Sequence, residues 1–225
     1  MLESIVSNIL NRLLGAYCEN LNTNQLNIGI WSGDVKLRNL RLKREALDKF
    51  HLPISCKDGY IGELTASIPW SNLRGKPVQV LIKDIYLLCE PSAAQDIDEE
   101  ELERRDQAAK KEKLEAAELL TSKPSAGLSE EEQQKNESFA SSLTTKIVDN
   151  LQFTVQNIHI RYEDNLSCPG HPFAVGLTLA EFTANSTDEN WQPAFIQDSR
   201  STIHKLAKLN SLAFYWDTDC QLLSD

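Results

Sequence analysis

Leu2, Ile5, Val6, Ile9, Leu10, Leu13 and Leu14 recur at the three- and four-residue spacing of one helix face, with Gly15 directly after them. That pattern predicts an amphipathic helix over residues 1–15. From Gln25 to Cys89 the spacing changes to short alternations of Val, Ile and Leu, punctuated by Gly29, Gly33, Gly59, Gly62, Gly75 and Pro77, which is the texture of a β-meander. Asp96–Leu120 is rich in helix formers with few large apolar residues, and KPSAG at 123–127 interrupts it. A second helix restarts where Ser129 and Glu132 form a capping box ahead of Phe139, Leu143 and Ile147. Beyond Asn150 the alternation returns through Thr183 and again near Leu206–Trp216, with a short helical piece around Thr202–Lys208. The expected organisation is one domain: helix 1–15, a first part of a sheet over 25–95, an inserted helical segment over 96–150, and a second part of the sheet over 151–225.

A repeated unit runs through the strand regions. Leu37-Arg-Asn-Leu40-Arg-Leu42, Ile82-Lys-Asp-Ile85-Tyr-Leu87 and Val155-Gln-Asn-Ile158-His-Ile160 share the order apolar, polar, Asn or Asp, apolar, any, apolar, and weaker copies lie at 61–66, 179–184 and 209–214. Successive copies start 24, 21, 73, 24 and 30 residues apart, so the inserted segment interrupts an otherwise regular series. Within the unit the apolar spacing is two, three, two. A step of three flips side chains to the other face unless one residue is absorbed, which predicts β-bulges at Asn39, Asp84 and Asn157. One face then stays apolar: Val35, Leu37, Leu40, Leu42, Leu64, Val80, Ile82, Ile85, Leu87, Phe153, Val155, Ile158, Ile160, Leu177 and Leu179. A strand of about twelve residues spans roughly 40 Å, whereas a helix over 1–14 spans only about 20 Å, so part of the face is expected to lack a covering element. The fold class is α+β: a strongly curved, twisted antiparallel sheet forming an apolar groove, with an amino-terminal amphipathic helix and an inserted helical hairpin. By periodicity alone the same positions also describe an ordinary core.

Composition narrows the chemistry. The 225 residues carry 23 Lys and Arg against 33 Asp and Glu, and residues 96–137 hold 14 of those acids with 7 bases, leaving the remainder near balance. No concentrated positive stripe is present, so nucleic acid is not an expected partner. No run of 18 apolar residues and no signal peptide is visible. Cys18, Cys56, Cys89, Cys168 and Cys220 are odd in number and lack a C-x-x-C pair, which fits a reducing compartment rather than a disulfide framework or a zinc site. His51, His171 and His204 have no metal-ligand spacing, and neither a nucleophile elbow nor a phosphate-binding glycine loop occurs. His159, Arg161, Glu163 and Asp164 superficially resemble a catalytic cluster. Alternation places His159, Arg161 and Glu163 on one strand face, expected to be the outer, solvated one. Neither an enzyme nor a metal site is expected. Trp31, Trp70, Trp191 and Trp216 follow strand ends or turns, which suits packing at sheet margins or an interfacial role.

The stretches NQLNIGIWSGDVKLRNLRLKREAL (24–47), GYIGELTASIPWSNL (59–73), PVQVLIKDIYLLCEP (77–91), NLQFTVQNIHIRYED (150–164), FAVGLTLAEFTANSTDENWQPAF (173–195) and LNSLAFYWD (209–217) closely resemble the chorein amino-terminal domain of the vacuolar-protein-sorting-thirteen type proteins. The resemblance runs from the first residue nearly to the last. It implies a fragment of a longer, rod-shaped, bridge-like lipid transfer protein, whose hydrophobic groove holds glycerophospholipid acyl chains and moves lipids between organelle membranes at contact sites. On that reading the fifteen face residues bind lipid, and Leu2, Ile5, Val6, Ile9, Leu10 and Leu13 form a membrane-proximal helix. The implied partners are phospholipids and organelle membranes, with adaptor proteins bound by the remainder of the longer chain. No cofactor is implied; bound glycerophospholipids are cargo. The implied location is peripheral, on the cytosolic side, where endoplasmic reticulum meets mitochondria, vacuole or lysosome, or endosomes. The competing class is a β-rich interaction scaffold with a closed core and an acidic docking hairpin.

Overall fold

The computed structural model describes residues 11, 14–19, 21, 23–50, 52–73, 75–92, 104, 107, 110–111, 145–197 and 202–223. Leu2, Ile5, Val6, Ile9, Leu10 and Leu13, expected on the amino-terminal helix, lie outside those residues, as does most of the segment 96–150. Residues 11 and 14–17 are helical, so Gly15 lies within a helical stretch rather than ending one, and residues 104, 107, 110–111 and 145–149 are helical as well. Helix α1 (Thr23–Ser32) precedes six strands: β1 (Asp34–Arg41), β2 (Ile54–Ser67), β3 (Gln79–Pro91), β4 (Gln152–Asp164), β5 (Phe173–Thr187) and β6 (His204–Thr218). They form one open sheet in chain order.

Three expectations are corrected. The sheet is mixed, not antiparallel throughout, because β3 and β4 pair in parallel. A parallel pair needs a long crossover to return the chain to the same end, and residues 92–151 supply it. Residues 23–32 are helix rather than strand. Leu26, Ile28 and Ile30 alternate in sequence, but Leu26 and Ile30 stand one helical turn apart and are fully buried, while Ile28 faces out. Gly33, at φ +85°, closes the helix in the left-handed conformation, its N–H bonded to the Ile30 carbonyl. Finally, the expected helical piece at 202–208 is the start of β6, paired residue by residue with β5.

The repeated unit behaves differently from a bulge. Asn39, Asp84 and Asn157 do adopt left-handed backbone, at φ 53°, 58° and 55°, and Ser211 joins them at 55°. Yet no extra residue is inserted, since Arg38 pairs with Glu63 and Leu40 with Ile61 on either side of Asn39. The register runs unbroken past the same point in every other pair of neighbouring strands. Asn39, Gly62, Asp84, Asn157, Ala180 and Ser211 therefore form one transverse row across the sheet, where all six strands change phase together. Asn and Asp tolerate this conformation best among side chains with a Cβ, and the Asn157 side-chain amide donates to the Asp84 carboxylate at 2.9 Å. Among the described strands the register shift lies elsewhere, between Cys56 and Asp58.

The face kept in phase is covered unevenly. Leu26 and Ile30 of α1 pack with Cys18, Val35, Leu37, Leu40, Leu64 and Ala66. Ile68, Leu73 and Val78 pack with Ile147 and Leu151 at one end of the strands, and Cys56, Leu87 and Cys89 pack with Leu47 and Ile160 nearer the other. Each fully buried Leu or Ile contributes about 1.5–3 kcal/mol, so cohesion concentrates around β1 to β3.

Candidate functional site

Register places the expected face residues in transverse rows. Leu37, Leu64, Ile82 and Val155 continue into Phe182 and Leu209. Beyond the phase change, Leu40, Ile61, Ile85, Ile158, Leu179 and Leu212 form the next row, followed by Leu87, Ile160, Leu177 and Phe214. Val80 and Phe153 stand on the same face, in register with Ala66 and Ala184. Leu42 reaches it through a bridge to Cys18, packing against two of the core clusters.

Exposure grades across these rows. Val35, Leu37, Leu40 and Leu64 are buried beneath α1, and Leu87, Val155 and Leu179 are buried further along. Val80, Ile82, Ile85, Phe153, Ile158, Ile160 and Leu177 are half-buried. On β6 the face lies open: Leu209 is 61% exposed, Phe214 69% and Trp216 65%. Sequence reasoning missed Ile61, Phe182, Leu209, Leu212 and Phe214 as members of the face, although the weaker copies of the unit at 61–66, 179–184 and 209–214 carried the signal.

The reverse face is polar and tied together by Tyr215. Its ring lies over Gly176, where a Cβ would collide with it, and reaches from β6 across β5 to β4. The Tyr215 hydroxyl lies 2.8 Å from His159 Nε2 and accepts from Arg161 Nη1 at 3.2 Å. Arg161 Nε donates to Glu163 at 2.7 Å, and the Leu223 backbone N–H donates to the same carboxylate oxygen at 2.9 Å. His159, Arg161 and Glu163 thus share a face as expected. It is not solvated there, because Arg161 and Glu163 are buried by β6 and the segment after it. Burial, reinforced by the Arg161 charge, holds the His159 pKa below its ordinary value. Asp164 is also buried; against the effect of burial, hydrogen bonds from Ser167, the Leu166 N–H and the Tyr162 hydroxyl hold its pKa down to about 2. These groups are saturated by each other, a structural arrangement rather than one poised for proton transfer.

Cys56 and Cys89 oppose each other across β2 and β3 as buried free thiols. Burial, and then the neighbouring Cys56, push the Cys89 pKa up to about 12, so it stays protonated at neutral pH. Among the described residues no three His, Cys, Asp or Glu side chains converge as metal ligands, and no helix is long and apolar enough to cross a membrane.

Fold and site together define an open β-sheet protein whose distinctive feature is a wide apolar face, closed along one edge and bare along the other. Comparison with known proteins gives the family. The description "VPS13-like family N-terminal region" matches residues 1–225, and the chain belongs to that family. It is 52% identical over 223 residues to the intermembrane lipid transfer protein VPS13 of Chaetomium thermophilum, and 41% identical over 230 residues to vps13A of Dictyostelium discoideum, each alignment covering 99% of this chain. With human VPS13C the identity is 33% over 268 residues, again with 99% of this chain covered. The chain spans about 7% of the length of each of these relatives.

Proposed function

We propose that this chain forms part of a lipid-transfer conduit, in which the inner face of the sheet shelters glycerophospholipid acyl chains while headgroups stay in water. The observation that carries the reading is the exposure of Leu209, Leu212, Phe214 and Trp216 on the same face whose other edge is buried under α1. Each Å² of apolar surface removed from water contributes about 25 cal/mol, so leaving these side chains bare is costly unless something apolar covers them. The relatives' name, intermembrane lipid transfer protein, supports acyl chains as that cover. Val35, Leu37, Leu40 and Leu64 then act as the end wall. The half-buried Val80, Ile82, Ile85, Phe153, Ile158, Ile160 and Leu177, with the buried Leu87, Val155 and Leu179 between them, form the floor, and Leu42 joins wall to floor. Such contacts are non-directional, so weak headgroup selectivity follows, and no covalent chemistry is needed. Work at organelle contact sites on the cytosolic side, with adaptors bound by other parts of a longer protein, belongs to the same proposal.

The test is mass spectrometry of organic extracts from the purified, detergent-free chain, beside Leu209→Glu/Leu212→Glu/Phe214→Glu. These substitutions sit on exposed positions and leave the buried core untouched. Glycerophospholipid near or above one equivalent in the wild type, lost in a variant with unchanged circular dichroism, is expected. Background lipid in both would overturn the reading in favour of a closed interaction scaffold.

A further inference from the structure

The shared phase change also shapes the reverse face. Ile82 and Ile85 stand on the inner face on either side of Asp84, so Lys83 and Tyr86 both turn to the reverse one, three positions or about 10 Å apart at the usual rise. In register with them run two rows: Glu63, Lys83, Gln156 and Glu181 on one side, and Tyr60, Tyr86, His159 and Thr178 on the other. Between the rows lie only short side chains, those of Asp84, Asn157, Ala180 and Ser211, and Gly62 has none. The result is a trough of about 570 Å³ running across the strands along the aromatic row. The Tyr60 and Tyr86 ring centroids are 5.7 Å apart, and those of Tyr86 and His159 5.4 Å, so the aromatic wall is continuous from β2 to β4. Tyr60 is 49% exposed. Asp84, exposed on the floor, accepts from the Asn157 amide at 2.9 Å, and Glu181 accepts from the Gln156 amide at 3.0 Å. Both donors are neutral, and among the described residues neither carboxylate is held in an ion pair. Lys83, in register between Glu63 and Gln156, offsets one of the two charges.

We propose that this trough docks a proline-rich segment of another protein, one that carries Lys or Arg beside its prolines. β2 to β5 are paired on both sides, so the face offers no free backbone row, and a chain lying on it cannot bind as an added strand. Its own backbone must be satisfied by water, as that of a polyproline II helix is. An α-helix, about 10–12 Å across with its side chains, is too wide for rows whose backbones are only about 10 Å apart. The repeat also matches. β2 and β4 are two strand spacings apart, about 9.6 Å, and three residues of polyproline II advance about 9.3 Å, so positions i and i+3 meet Tyr60 and His159 with Tyr86 between them. The Tyr60 and Tyr86 rings give prolines an apolar surface, and their hydroxyls are donors for the segment's carbonyls. Charge selects the flanking residues, since Asp84 and Glu181 attract a cation and the chain's net charge of −10 steers a basic segment toward it while opposing a second copy. The trough lies on the face away from the apolar one, so its occupant does not compete with lipid, and the proposal stands apart from the conduit reading.

The experiment is fluorescence anisotropy of the full 225-residue chain with a labelled peptide of eight prolines followed by two arginines, at low and high salt. A glycine-serine peptide ending in the same arginines, and a proline peptide ending in two glutamates, serve as comparisons. The proline-arginine peptide binds most tightly, and salt weakens it. Tyr60→Ala lowers the affinity about fivefold or more. Asp84→Asn/Glu181→Gln lowers it up to about fivefold for each charge removed and flattens the salt dependence; Asn at 84 keeps the left-handed backbone accessible. Leu166→Glu, at an exposed residue in the β4–β5 connection, leaves binding unchanged. Circular dichroism establishes that each variant is folded. Amide resonances of Gly62, Asp84 and Asn157 shift on titration. Equal binding of either comparison peptide, wild-type affinity in both Tyr60→Ala and Asp84→Asn/Glu181→Gln, or shifts confined to another surface would overturn the proposal. So would a dimer detected by light scattering that Tyr60→Ala dissolves, which assigns the trough to a second copy.

Discussion

Asn157 shows how a single residue can serve the whole sheet. Its left-handed backbone costs little because its short polar side chain finds a partner in Asp84 one strand away. Replacing it with Val adds a β-branched side chain where φ is positive and removes the hydrogen bond, so Asn157→Val is expected to cost about 1–3 kcal/mol in urea denaturation, while Asn157→Gly is milder. His159 gives a pH test. Its folded pKa lies below its ordinary value, so the unfolded chain binds the proton more readily. Stability is therefore full above the ordinary histidine value of about 6.5 and falls as pH drops from there through the folded value. Asp164, held down to about 2, acts with the same sign at lower pH: its contribution is present above the ordinary carboxylate value and is lost as pH falls from there toward 2. Thermal melts between neutral pH and pH 5 are expected to slope less in His159→Gln than in the wild type, since only the first window is then removed.

Among the elements, α1 was the least legible. Leu26, Ile28 and Ile30 satisfy a strand's period of two, and the helical alternative shares only Leu26 and Ile30 with it, too short a pattern to arbitrate. Tertiary packing decides, by burying those two against Val35 and Leu37 and leaving Ile28 outside. The consequence is measurable: Leu26→Ala is expected to cost about 2–5 kcal/mol, and Ile28→Ala less than about 0.5 kcal/mol. In a strand the two substitutions would have similar effects. The strands themselves were readable because the unit recurs, and its third position correctly marked Asn39, Asp84 and Asn157 as special. Whether that position was an extra residue could not be read from one strand, because the answer lies in what the neighbouring strand does. Ser211 escaped notice for a related reason: its unit, Leu209–Phe214, is a weaker copy, lacking the Asn or Asp that flags the others.

For the molecule as a whole, strand order follows the chain, but strand direction does not follow from the strands. The parallel pairing of β3 with β4 depends on the end at which residues 92–151 deliver the chain. The apolar face was legible as a set of positions, whereas its graded cover was not, since no strand sequence states that α1 sits over β1 and that the face of β6 is exposed. The burial of Arg161 and Glu163 was hidden in the same way, because Tyr215 arrives from two strands away over Gly176.

The transverse row running from Asn39 to Ser211 gives the sheet something like a reading frame. Every strand changes phase at one shared line, so each is divided into two halves whose side chains are correctly assigned only while the count on both sides of that line is kept. A single alanine inserted between Val155 and Gln156 would shift one half of β4 out of frame, turning Phe153 and Val155 outward and polar neighbours inward, while an alanine inserted in the 188–203 connection would leave every count intact. Circular dichroism and melting of the two insertion variants should therefore diverge sharply, the first losing cooperative unfolding and the second retaining it. Length in this architecture can change freely between strands or by whole strands, but not by single letters within them.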